Sequence, residues 1–219
     1  MIFIFGLAQI LLAIPGAIIA IVLHEYTKSI VNNKLGQEMY DNSGIFPIDS
    51  KGSKRNGISL SFGRYIDILG LIFKVFFGFG WANPVKIQPF HFSNRKRSLL
   101  LLFLAPFLVN IIVGAAATIA AHLYFLNVLA SSPSPSPTNI YIYMGISNIA
   151  TLNLSFALFN IIPIFPLSGV LWLSAIKPVW AAKISQNERL LQILLAFFIL
   201  LGGASHVFSP LVQGLMRVL

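Results

Sequence analysis

Four runs of this chain contain no Asp, Glu, Lys or Arg: 2–23, 98–128, 139–176 and 190–216. Each reaches the roughly 20 mostly apolar residues that a helix needs to cross a bilayer. Hydrocarbon offers no water to satisfy backbone N–H and C=O groups, so runs of this kind must close their hydrogen bonds internally, as helices. The expected fold is therefore all-α, a polytopic integral membrane helix bundle. Composition agrees: 57% of residues are hydrophobic and 10% charged, against about 25% charged in an ordinary soluble domain. A free-standing soluble enzyme is excluded. The chain has no cysteine, which removes disulfides and thiolate metal sites from consideration.

The first run is too long for the apolar core of a signal peptide, lacks a basic start, and has no small-residue cleavage site before His24. It reads as a retained span. The 15 Lys and Arg against 6 Asp and Glu give a net charge of +9. In a membrane protein such an excess marks loops held on the cytoplasmic side beside anionic lipid, so no nucleic-acid partner is expected. The basic segments 34–64 and 86–97 both read as cytoplasmic, as does the cluster Lys177, Lys183 and Arg189. Between the first two lies 65–81, a Phe- and Gly-rich stretch carrying Asp67 and Lys74. It must enter and leave on one side, as a re-entrant or interfacial element. The uncharged Ser/Pro tract at 129–138 belongs on the far side. The chain thus reads as a single membrane domain over 1–219. Its spans are expected at about 2–30, 98–128, 139–160 and 190–216. Pro163, Pro166 and Gly169 end the third of these in an irregular turn at 160–169. Non-helical backbone at membrane depth survives only where it is buried or lines a cavity, so this turn is a candidate site wall.

The first span ends Leu23-His24-Glu25-Tyr26-Thr27-Lys28. Ionisable groups in a membrane helix are rare and usually functional. In this setting the segment resembles the H-E-x-x-H helix of the site-2 protease family, the intramembrane zinc metallopeptidases. There, two His at i and i+4 bind zinc and the Glu polarises the attacking water. Further stretches are similar to that family in order and spacing. They are Arg55-Asn56-Gly57 with Tyr65-Ile66-Asp67, then Gly80-Trp81-Ala82-Asn83-Pro84-Val85, Ala105-Pro106-Phe107-Leu108-Val109-Asn110, and Asn160-Ile161-Ile162-Pro163-Ile164-Phe165-Pro166-Leu167-Ser168-Gly169. The resemblance implies a bundle of site-2 protease type with Glu25 at the general-base position and His24 at a zinc-ligand position. It also implies a substrate-binding role for Asn160, Pro163 and Pro166.

Two departures stand out. Lys28 occupies the position of the second histidine, and Ser168 that of the aspartate ligand. A catalytic zinc needs about three protein ligands and an open position, so no cofactor is expected. Residues three apart on a helix are neighbours, which lets the Lys28 ammonium meet the Glu25 carboxylate in place of a metal. Of the remaining histidines, His91, His122 and His206, none is placed by a motif to replace the lost ligands; Asp67 reads as a cap or a partner of Arg64. The favoured reading is a catalytically degenerate homologue that binds transmembrane helices or partner proteins, with membrane lipid around it. The alternative is an active zinc metalloendopeptidase of membrane proteins with atypical ligation. A third reading carries a small molecule or ion on a titratable Glu25–Lys28 pair.

Overall fold

The structure is a computed structural model, which describes residues 2–43, 62–87 and 92–219. The segment Arg55-Asn56-Gly57 and His91 lie outside the described residues. The elements are α1 (Ile2–Ser43), α2 (Ile68–Phe77), α3 (Arg95–Tyr124, continued by a π-helical turn Phe125–Leu129), α4 (Pro137–Phe159), α5 (Gly169–Ile176), α6 (Pro178–Gln186), α7 (Glu188–Leu200) and α8 (Gly203–Val218). Among the described residues every regular element is helical. Leu7–Leu35, Arg95–Leu129 and Pro137–Phe159 are long and apolar enough to cross a membrane, and α7 with α8 would make a fourth span. The fold is an all-helical bundle that fits an integral membrane protein.

Lipid tails give apolar helices no hydrophobic reason to associate, so close packing must come from shape. On α1, Ala13, Ala17 and Ala20 are buried, and they share one face with Gly16. A Cβ at Gly16 would sit only 3.1 Å from the Asn148 carbonyl oxygen of α4. On α3, Gly114 receives the Leu154 side chain of α4. Helices α1, α3 and α4 therefore form a tight three-helix centre, each in contact with the other two.

The element expected at 65–81 is a short helix followed by extended chain. Asp67 caps α2, accepting from the Gly70 N–H at 2.7 Å. Ten residues rise about 15 Å, half the roughly 30 Å of a hydrocarbon core. Helix α2 is too short to cross. The chain then passes back against it as extended residues 79–87, an approach that only glycine permits. A Cβ at Gly80 would strike the Gly70 carbonyl oxygen, and one at Gly70 the Trp81 carbonyl oxygen. Phe73, Phe79 and Trp81 fold inward on Phe159, Leu167, Leu195 and Ile199, while Phe76 and Phe77 remain exposed.

The last apolar run is not one straight helix. It is two helices bent by 67° across Leu201-Gly202. Gly202 adopts φ +78°, a left-handed conformation that ends α7 and restarts the chain as α8.

Candidate functional site

Helix α1 stays helical through the change from apolar to polar sequence and so delivers His24, Glu25 and Lys28 into the bundle. His24 is 0% exposed, Glu25 1% and Lys28 2%. These values exclude a solvated interface for the trio. Consecutive helical residues point about 100° apart, whereas i and i+4 share a face. Accordingly Glu25 turns away from His24, while Lys28 comes from the His24 side and reaches back across one turn. Its Nζ donates to Glu25 Oε1 at 2.5 Å. The other carboxylate oxygen, Oε2, accepts from the Val85 backbone N–H at 2.8 Å. The extended segment that Gly70 and Gly80 hold in place therefore supplies Glu25 with its second donor.

The protons on His24 follow from amide geometry. Asn153 Nδ2 donates to the Ile149 carbonyl at 2.8 Å, which turns Asn153 Oδ1 toward α3. Asn110 Nδ2 donates to that oxygen at 3.2 Å and to the Ala20 carbonyl at 3.0 Å. Asn110 Oδ1 is thereby aimed at His24 Nδ1, 3.1 Å away. An amide oxygen only accepts, so Nδ1 must carry the proton. Nε2 then presents a lone pair, and the hydroxyl of Ser168 donates to it at 2.7 Å. The Phe156 ring packs edge-on against the imidazole, with centroids 5.1 Å apart.

Ser168 is held from a second direction. Asn160 closes the C-terminus of α4 by donating from Nδ2 to the Phe156 carbonyl at 2.9 Å. Its Oδ1 accepts from the Ser168 backbone N–H at 3.0 Å. One amide thus fastens both ends of the irregular turn. Within the turn Pro163 is half-buried and Pro166 buried, the Phe165–Pro166 peptide is cis, and Trp172 Nε1 donates to the Ile161 carbonyl at 2.9 Å. Ser168 stands at the head of α5, yet its side chain makes no capping bond there. Its hydroxyl is given to His24 instead.

The structure brings His24, Glu25, Lys28, Asn160 and Ser168 to one buried centre, and Pro163 and Pro166 lie in the turn that leads to Ser168. By sequence alone Lys74 is a charge in an apolar stretch with no evident role. It too is 0% exposed. Its Nζ lies 3.5 Å from Ser155 Oγ and 4.6 Å from the Phe156 ring centroid, and Ser155 in turn donates to the Gly78 carbonyl at 2.8 Å. The centre therefore places two lysines about one carboxylate, and burial pushes the Lys74 amine well below the usual lysine pKa. Asn153 and Ser155 gave no sequence signal beyond being polar residues in a charge-free run. Asp67 serves as a helix cap, and His122 and His206 are exposed on α3 and α8.

As a metal centre this donor set is short. Among the described residues no group of three or more His, Cys, Asp and Glu could hold an ion. His24 Nε2 offers one lone pair. A Lys28 ammonium offers none, and a neutral serine hydroxyl is a poor substitute for a carboxylate. The residues present do not fit a zinc ion.

Fold and site together define a helical membrane bundle built around a buried polar centre. The sequence is similar to that of the Bacillus subtilis (strain 168) protein named "Putative zinc metalloprotease YwhC", 25% identical over 200 residues, which cover 90% of this chain and 83% of that protein. The similarity supports a link to a metalloprotease family. No protein-family model matches the sequence, and no solved structure matches it.

Proposed function

We propose that this chain is a site-2 protease-like membrane protein that has given up zinc hydrolysis and keeps the bundle as a binding site for transmembrane helices of partner proteins. The observation that carries the reading is the Lys28–Glu25 pair. The ammonium that replaces the second histidine neutralises the carboxylate that a metal-bound water would otherwise face. Ser168, in the aspartate's position, hydrogen-bonds His24 where a metal would be shared. The name of the Bacillus relative favours a second reading, an active zinc endopeptidase, but that reading requires donors this centre does not offer.

The helix-binding part is tested by placing a photo-crosslinking amino acid at Phe165. That residue is exposed on the turn leading to Ser168. Reconstituted protein illuminated with single-span peptides should crosslink to them, and crosslinking should be weaker from Leu211, an exposed site on α8. Equal crosslinking from both sites, or release of peptide fragments that a zinc chelator abolishes, would overturn the proposal.

A further inference from the structure

We propose that Ser168, His24 and Asn110 form a metal-free nucleophile relay that takes an acyl group from a membrane-embedded carboxylic ester or amide. The inference rests on the reading above, in which zinc has left this centre. Three linked features carry it. The chain of amide bonds from Ile149 through Asn153 and Asn110 leaves His24 with its proton on Nδ1 and its lone pair on Nε2. The Ser168 hydroxyl points that single proton at the lone pair, at 2.7 Å, within the reach proton transfer requires. A serine at the head of a helix ordinarily caps the first turn, but here that bond is forgone. At the head of α5 the Ser168 N–H is taken by Asn160 Oδ1 and the Leu171 N–H by the Ser168 carbonyl, which leaves the N–H groups of Gly169 and Val170, the two residues after the nucleophile, without an intrahelical acceptor.

These parts have the roles that acyl transfer demands. Ser168 Oγ adds to the carbonyl carbon as its proton passes to His24 Nε2, and the carbonyl π pair moves to oxygen. The N–H groups of Gly169 and Val170 would donate to the resulting oxyanion. Collapse re-forms the carbonyl and breaks the bond to the leaving oxygen or nitrogen, which takes the proton from Nε2. The acyl–Ser168 ester is then hydrolysed by water. His24 accepts a water proton, hydroxide adds to the acyl carbon, and Ser168 departs with the proton returned. The balance is ester or amide plus water giving acid plus alcohol or amine, with no redox change. Asn110 is a positioning residue, because it touches only the imidazole and the scaffold. The Glu25–Lys28 pair takes no part.

The carbonyl has two sources in a bilayer, a lipid ester and the backbone of a membrane peptide, and the experiment separates them. Purified full-length protein is incubated with a fluorophosphonate, and the adduct is located by peptide mass mapping. Ser168 should be modified ahead of the other serines, and His24→Gln should slow that modification about 100-fold or more. Asn110→Leu should slow it too, with Asn110→Asp, which restores an acceptor for Nδ1, recovering part of the rate. Wild-type protein is then mixed with phosphatidylcholine vesicles or with a single-span peptide. The mass added to Ser168, or the fatty acid or fragment released, names the source. Absence of labelling at Ser168 in wild-type protein overturns the relay without requiring any variant to fold. Labelling of His24→Gln at the wild-type rate overturns it as well, and so does the absence of any acyl product from both sources. Zinc measured on the same preparation keeps the two proposals apart. Stoichiometric metal would defeat the earlier reading, whereas unlabelled, zinc-free protein would defeat only this one.

Discussion

Replacing Lys28 by Met removes the ammonium and retains a side chain of similar length. At an effective dielectric constant of about 20, unit charges 2.5 Å apart attract by about 7 kcal/mol. Desolvation of both groups offsets much of this in the intact pair. In the variant, Glu25 keeps only the Val85 N–H and must either stay charged in an apolar centre or take up a proton. Protonation limits the loss, so the expected destabilisation is about 3–5 kcal/mol, the range found on breaking buried pairs. That corresponds to an unfolding constant raised roughly 100- to 4,000-fold. Glu25→Gln combined with Lys28→Met should return most of it, because two neutral groups need no mutual compensation and the glutamine oxygen can still accept from Val85. Unfolding in mixed micelles, followed through the fluorescence of buried Trp81, gives the four corners of the cycle. Two single variants each within about 0.5 kcal/mol of wild type, with no coupling between them, would refute the argument that the pair is buried and mutually dependent.

Lys74 makes the opposite case. Its amino group is fully buried with a serine hydroxyl and an aromatic face as its contacts, a poor exchange for water that pushes its pKa well down. Lys74→Met should stabilise the protein by about 1–3 kcal/mol in the same assay, and a loss of stability would show that the charge is compensated. Gly80→Ala should destabilise by about 1–3 kcal/mol, because its Cβ meets the Gly70 carbonyl. Gly63→Ala, which meets nothing within 4 Å, should stay within about 0.5 kcal/mol by thermal unfolding; equal effects would mean that the extended segment does not lie against α2.

The charge-free runs made the bundle legible, because a long apolar segment in lipid has few conformations open to it. The Lys28–Glu25 contact was legible for the same local reason, since residues three apart on a helix must be neighbours. Lys74 was visible only as an anomaly. Its burial depends on α2 folding back beneath α1 and α4, a long-range arrangement that no local pattern encodes. The Asn153–Asn110–His24 chain was hidden more thoroughly. Each amide is unremarkable within its own helix, and the tautomer it imposes emerges only when three helices meet. The break at Gly202 lay in plain view in the sequence as a glycine pair, but a pair of glycines within a long apolar run does not by itself distinguish a tolerated weak point from a sharp bend.

Whether this buried centre still grips a metal decides between hydrolysis by zinc and its loss. Elemental analysis of purified wild-type protein, beside a Lys28→His, Ser168→Asp double variant prepared in parallel, tests that directly. The prediction is zinc well below stoichiometric in the wild type and close to one ion per chain in the double variant, whose two introduced donors would then join His24. One tightly held zinc per wild-type chain would contradict it.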